Sequence, residues 1–252
     1  MKFFKKLYKF WVWTWFTVVF ILLYPFFVLF IQKESWKAKG HFLNKLWAHT
    51  VFGFCFLPCS VDFRFKPDKK AQYIYCANHT SFLDIPSLCY ALPGYFMFIG
   101  KAALTKVPLF GYMFRNLYIP VDRHNQKSRY ETMLKSFDAI DKGRGLAIFP
   151  EGTIPAKNSP HMIPFKDGPF RIAIEKQVAI VPITIAYNWK ILPDDGAFAP
   201  VRNLMKMVVH EPIITKGFTI EQVTELKEKT FNIIDTELRK LNPEMNLEVE
   251  KI

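Results

Sequence analysis

Hydropathy divides this chain into two regimes. Residues 11–31 (WVWTWFTVVFILLYPFFVLFI) carry no charge, and as a helix such a run is about 31 Å long, the thickness of a bilayer's hydrocarbon core. A second amphiphilic stretch with Trp36, Leu43, Leu46 and Trp47 leads into 51–58 (VFGFCFLP). From Ser60 the pattern changes, and short β-type runs alternate with runs of helical period. Residues 61–65, 73–77, 95–99, 117–121, 146–149, 180–186 and 205–211 read as strands; 81–92, 126–141, 168–177 and 219–241 read as helices. This alternation predicts an α/β domain, a mixed or largely parallel sheet covered by helices. Thr219 makes a good helix start, with Glu221 and Gln222 in the first turn and Lys229 and Lys240 further on. Proline inside the strand Val181-Pro182-Ile183 implies an edge position, a bulge, or a place where something approaches the backbone. The expected organisation is a helical membrane anchor over 1–59 and a catalytic domain over 60–252.

The anchor has two possible arrangements. Its apolar run is too long for a secretory signal, and no small-residue cleavage site follows it. Lys2, Lys5, Lys6 and Lys9 precede the run, and Lys33, Lys37, Lys39 and Lys45 follow it. With positive charge on both sides, the positive-inside rule assigns no orientation. A helical hairpin dipping into one leaflet with both ends cytosolic fits this symmetry; a single span, with Pro25 as a kink, is the alternative.

Charge and composition narrow the class of partner. A formal charge of +12 and a pI near 9.5 imply an anionic partner. The aromatic and apolar excess is concentrated at the N-terminus and is not interleaved with the basic residues, which favours a membrane over nucleic acid. Each basic residue near an anionic bilayer contributes roughly 1 kcal/mol. Cys55, Cys59, Cys76 and Cys89 lie in apolar surroundings without a C-x-x-C pair, so reduced thiols and no zinc site are expected. No G-x-S-x-G elbow, Walker loop or G-x-G-x-x-G occurs, which removes support for a serine hydrolase or a nucleotide fold. The histidines at 41, 49, 124, 161 and 210 show no ligand spacing.

The stretch with the clearest chemistry is Asn78-His79-Thr80-Ser81-Phe82-Leu83-Asp84. Histidine titrates near neutrality, and a carboxylate on its second ring nitrogen would fix the tautomer and stabilise the imidazolium. Five residues apart on one helix, the two side chains would diverge by about 140°. The pair therefore requires His79 in a turn and Asp84 in the first helical turn. Ser81 and Asp84 also fit a capping box, so Asp84 has a plain reading as a helix cap. Three other stretches are unusual. Gly100-Lys101-Ala102-Ala103-Leu104, followed by Val107-Pro108-Leu109-Phe110-Gly111, puts a lysine at a strand end, ready for an anion or simply solvated. Tyr118-Ile119-Pro120-Val121-Asp122-Arg123 offers an arginine for phosphate or for an ion pair with Asp122. Phe149-Pro150-Glu151-Gly152-Thr153 makes a tight turn with exposed amides and two polar side chains, suited to hydroxyls or phosphate, or an ordinary strand exit.

Taken together and in this order, these blocks resemble the glycerolipid acyltransferase family, specifically the 1-acyl-sn-glycerol-3-phosphate (lysophosphatidic acid) acyltransferases. The resemblance runs from Asp62 to His210: residues 78–84 match H-x4-D, 101–123 match K-x-x-L…P-x-x-G…(I/V)-D-R, 149–153 match F-P-E-G-T, and 181–183 match V-P-I. It implies a glycerol-3-phosphate acyltransferase-like fold and no metal or cofactor. His79 would be the general base and Asp84 its orienting partner. Lys101 and Arg123 would hold the acceptor's phosphate, and Glu151, Gly152 and Thr153 would line the acceptor site. The donor would be a thioester of acyl carrier protein or coenzyme A, the acceptor a lysophospholipid. The location would be the cell membrane with the active site facing the cytoplasm. One departure stands out: Ile154-Pro155 follows E-G-T where the family has arginine or serine, and Lys157 is only a partial replacement. A lyso-aminolipid acceptor (lyso-ornithine or lyso-glycine lipid) therefore stays open, as does a non-catalytic membrane scaffold.

Overall fold

A computed structural model describes residues 2–155, 159–193 and 205–247. In chain order the helices are α1 (Lys2–Phe30), α2 (Lys37–Phe54), α3 (Asp84–Ala91), α4 (Phe110–Leu117), α5 (Gln126–Asp141), α6 (Gly168–Lys176), α7 (Asn188–Ile191), α8 (Val223–Leu241) and α9 (Glu244–Leu247). The strands are β1 (Cys59–Phe63), β2 (Ile74–Ala77), β3 (Phe96–Lys101), β4 (Ile119–Val121), β5 (Gly145–Ile148), β6 (Ile180–Ile185) and β7 (Met205–Val209). Each strand expected from the alternation forms, and α5 has the expected bounds.

The chain groups into two compact units. The first comprises 1–56, 67–72 and 86–148; the second comprises 57–66, 73–85 and 149–252. In the first unit, β3 lies between β5 and β4 and is parallel to both. Helices α1 and α2 of this unit form an antiparallel hairpin. Tyr8 Oη donates to the Cys55 carbonyl at 2.7 Å and Trp11 Nε1 to that of Phe54 at 2.8 Å. Trp15 stacks on Phe54 with centroids 4.2 Å apart, and Trp47 Nε1 donates to Phe16 O at 3.1 Å. Pro25 lies inside α1, which continues through it to Phe30.

In the second unit, β6 pairs with β2 in parallel and with β7 antiparallel, and β7 in turn runs parallel to β1. The sheet is therefore mixed. Flanked on both sides, β6 is not an edge strand, and Pro182 is accommodated by a bulge. Ile183 pairs with Val209 and Ile180 with Ile213, so the β7 side carries one residue more than β6 between those pairs. The missing N–H of Pro182 falls in this interruption, while its carbonyl accepts from His210 N at 3.0 Å. Thr219 forms a capping box with Gln222, opening a 3-10 turn that runs into α8.

Helix α4 was not apparent in the sequence, being short and entered directly after Pro108 through Leu109. Its start is strained. Phe110 N donates to Pro108 O at 2.6 Å across Leu109, whose φ of 60° and ψ of −57° make the rarer, positive-φ γ-turn. The next residue but one, Gly111, presses its Cα against the Thr105 carbonyl, and a Cβ there would lie 2.2 Å from that oxygen. The glycine of the P-x-x-G block is thus required by close backbone approach. Gly111→Ala is expected to destabilise the fold by more than about 2 kcal/mol. Gly53→Ala, at a helical glycine with nothing within 4 Å of its Cβ position, should be neutral or stabilising by up to about 1 kcal/mol. Chemical denaturation in detergent checks the pair.

Candidate active site

Strand β2 is buried throughout and ends at Ala77, paired with Ile183, whereas β6 runs on to Ile185. The side chain of Asn78 fills the gap. Its Nδ2 donates to Ile185 O at 2.9 Å, and its Oδ1 accepts from Ile185 N at 2.7 Å. The amide reproduces the donor–acceptor pair of a peptide group, so the main chain is free to turn off the sheet at His79.

The turn that follows is built around Asp84, the first residue of α3 and fully buried. Its Oδ2 accepts from Thr80 N at 2.7 Å, Ser81 N at 2.9 Å and His79 Nδ1 at 2.9 Å. The N-terminal half of the expected capping box is present as the Ser81 N–H bond. The reciprocal half is replaced, because Ser81 Oγ accepts from Leu83 N at 3.1 Å and donates to Leu192 O at 2.7 Å. Asp84 therefore caps and orients at once. Because it accepts here, the imidazole proton sits on Nδ1, leaving the Nε2 lone pair of neutral His79 for chemistry. The ring is further fixed by stacking on Phe149, with centroids 3.9 Å apart and planes 16° apart. His79 retains 13% side-chain exposure.

Glu151 is 1% exposed, and both its oxygens face backbone donors: Oε1 accepts from His79 N at 2.8 Å, Oε2 from Ile163 N at 3.1 Å. Burial pushes its carboxyl up to about 7; the two N–H groups oppose that rise and nearby Asp84 adds to it. Gly152, with φ of 80°, turns the chain, its N–H donating to Phe149 O at 3.0 Å. Thr153 is exposed and Ile154 half-buried; Lys157 lies outside the described residues. Lys101, exposed at the end of β3, and Arg123, exposed between β4 and α5, belong to the first unit. Asp122 Oδ1 accepts from His124 N at 3.1 Å, and among the described residues it forms no ion pair with Arg123. No cluster of three or more His, Cys, Asp or Glu suited to a metal occurs among the described residues.

Two contributors escaped the sequence. Asn188, buried after β6, donates from Nδ2 to Asp84 Oδ1 at 2.9 Å, and Phe149 supplies the ring under His79. Asn188 lies 104 residues from its partner, with no spacing rule to connect them.

Comparison with known proteins places these features in context. The Acyltransferase family profile matches residues 61–186. The chain is 29% identical over 203 residues to a chloroplast 1-acyl-sn-glycerol-3-phosphate acyltransferase of Arabidopsis thaliana, covering 79% of this chain and 55% of that protein. It is 31% identical over 172 residues to the Saccharomyces cerevisiae 1-acyl-sn-glycerol-3-phosphate acyltransferase, covering 66% and 56%. With the Haemophilus influenzae enzyme of the same name the identity is 25%, covering 73% and 77%. The chain thus spans about half the length of the plant relatives it matches. The fold is shared with the crystal structure of the 1-acyl-sn-glycerophosphate acyltransferase PlsC from Thermotoga maritima: TM-score 0.78 at 22% identity, covering 96% and 97%.

The buried Glu151 generates a pH dependence of stability. Its folded-state pKa, about 7 against an ordinary 4.5, is raised. Its contribution is therefore fully present below pH 4.5 and is lost as pH rises through 7, a swing of about 3 kcal/mol. Glu151→Gln, which cannot ionise, should flatten the stability–pH slope across that window while adding a constant penalty for one misdirected N–H. Urea denaturation in detergent at pH 5, 6, 7 and 8 reads this out; parallel slopes for both proteins contradict it.

Proposed function

The chain belongs to the acyltransferase family, and on that footing we propose that it is a membrane-attached 1-acyl-sn-glycerol-3-phosphate acyltransferase that moves a fatty acyl group from a thioester to the sn-2 hydroxyl. The observation that carries this reading is the oriented His79–Asp84 pair, with Nδ1 held at 2.9 Å and the Nε2 edge of the imidazole left for an acceptor. His79 Nε2 takes the hydroxyl proton as the oxygen attacks the thioester carbonyl, and Asp84 stabilises the imidazolium. The tetrahedral intermediate collapses, the C–S bond breaks, and the departing thiolate recovers the proton from His79. No acyl-enzyme is required. Gly152 and Thr153 contribute to acceptor binding, and Glu151 acts through the backbone it holds. Lys101 and Arg123 keep the assignment to the acceptor's phosphate that the sequence pattern gives them. The donor is a thioester of acyl carrier protein or coenzyme A.

Membrane attachment rests on the helical hairpin. Phe3, Phe4, Phe10, Leu22, Phe42 and Phe56 are each at least 60% exposed, a density of apolar surface that water does not tolerate on a soluble domain. α1 is long and apolar enough to cross a bilayer. However, α2 packs against it while bearing Lys37, Lys39 and Lys45, so we favour the hairpin lying in one leaflet, with the catalytic unit on the cytoplasmic side.

A second acceptor class is favoured by one observation. The position after E-G-T, where the family carries arginine or serine, is the half-buried Ile154, whose side chain offers a phosphate no donor.

His79→Ala should lower acyl transfer by about a hundredfold or more; retained activity in purified, detergent-dispersed protein refutes the general-base assignment. Lysophosphatidate and a lyso-aminolipid supplied in parallel separate the acceptors, and exclusive use of the aminolipid replaces the leading reading. Liposome flotation tests attachment. The protein should remain with the vesicles in 1 M salt and be released by detergent; release by salt alone would make the association electrostatic.

A further inference from the structure

Asp84 is held from outside its own turn. While Oδ2 takes His79, Thr80 and Ser81, the other oxygen, Oδ1, receives Asn188 Nδ2 at 2.9 Å. Both side chains are fully buried. Asn188 is the first residue of α7. At the far end of α7, the Leu192 carbonyl accepts from Ser81 Oγ at 2.7 Å. α7 therefore brackets the 79–84 turn at both ends.

α7 is itself fixed from behind. Tyr187 Oη donates to Leu241 O at 3.0 Å, Asn242 Nδ2 reaches Ala186 O at 3.4 Å, and Lys190 pairs with Glu244 at 2.7 Å. The end of α8 and the start of α9 thus set where the Asn188 amide stands.

We infer that Asn188 is a positioning residue for acyl transfer. Its N–H fixes the plane of the Asp84 carboxylate so that Oδ2 stays on His79 Nδ1, and it stabilises the carboxylate's charge so that the proton remains on the imidazole. This rests on the general-base reading of His79. An amide is suited to the task because it is neutral: a cation in the same place would compete with the imidazolium that forms during turnover, and a hydroxyl of serine would not reach.

The test uses the full chain in detergent, with lysophosphatidate and an acyl-coenzyme A as substrates. Asn188→Leu, similar in size but without a donor, should lower kcat about tenfold or more, leave both KM values within about twofold, and move the acidic limb of the kcat–pH profile upward. Asn188→Asp supplies a distinct signature. Two adjacent buried carboxyls retain a shared proton into the neutral range, and that proton can take the place of the amide N–H. Activity should therefore be partly preserved at the acidic end and collapse as pH rises, giving an alkaline limb absent from the wild type. In a His79→Ala background, Asn188→Leu should have no further effect on residual transfer. An undiminished kcat in folded Asn188→Leu overturns the inference. So does an unaltered pH profile in both variants, an equal loss in the His79→Ala background, or failure of both variants to fold. Failure of the general-base reading is recognised separately, by activity of His79→Ala alone.

Discussion

The arrangement depends on supplying partners to a carboxyl group that lies where water cannot reach it. An unpaired charge at Asp84 would cost several kcal/mol, and the surrounding chain is shaped to meet that demand. Two amides of the turn, one imidazole N–H and the Asn188 amide converge on its two oxygens. Capping a helix and orienting a base are usually considered as alternatives for an aspartate in this position. Here they are one interaction, because the Asp84 oxygen that takes the Thr80 and Ser81 amides at the entry to α3 also takes the imidazole N–H of His79.

A second buried carboxylate completes the frame. Glu151 takes the His79 N–H, so three successive amides, at 79, 80 and 81, each point at an acidic side chain. The ring of His79 is held at Nδ1 by Asp84 and on its face by Phe149. Fixing backbone and ring separately leaves little freedom for the imidazole to leave its working position, and such preorganisation is a main source of rate enhancement in proton-transfer chemistry.

Much of this was legible in the chain. The alternation after Ser60 located every strand, the spacing of His79 and Asp84 specified a turn followed by a helix start, and Thr219 marked a true capping box. The long-range partnerships that escaped had a common physical origin. Glu151 meets His79 across 72 residues, and Asn188 meets Asp84 across 104; hydrogen-bond partners chosen by tertiary folding leave no periodic trace. Local rules offered an edge, a bulge or an approached backbone for Pro182, and only the pairing of β6 with β7 selected the bulge. α4 was missed because its entry uses a positive-φ leucine, a conformation that sequence propensities exclude for that residue.

The contacts around Asn78 also bear on how this protein ages. Asparagine deamidates when the following backbone nitrogen attacks the side-chain carbonyl carbon and closes a succinimide. Here the attacking nitrogen would be that of His79, and its N–H is already committed to Glu151 Oε1, while both ends of the Asn78 amide are locked to Ile185. The hydrogen bonds that steer the chain off the sheet and toward the catalytic base therefore also shield it from the spontaneous chemistry that would turn that amide into a third acid.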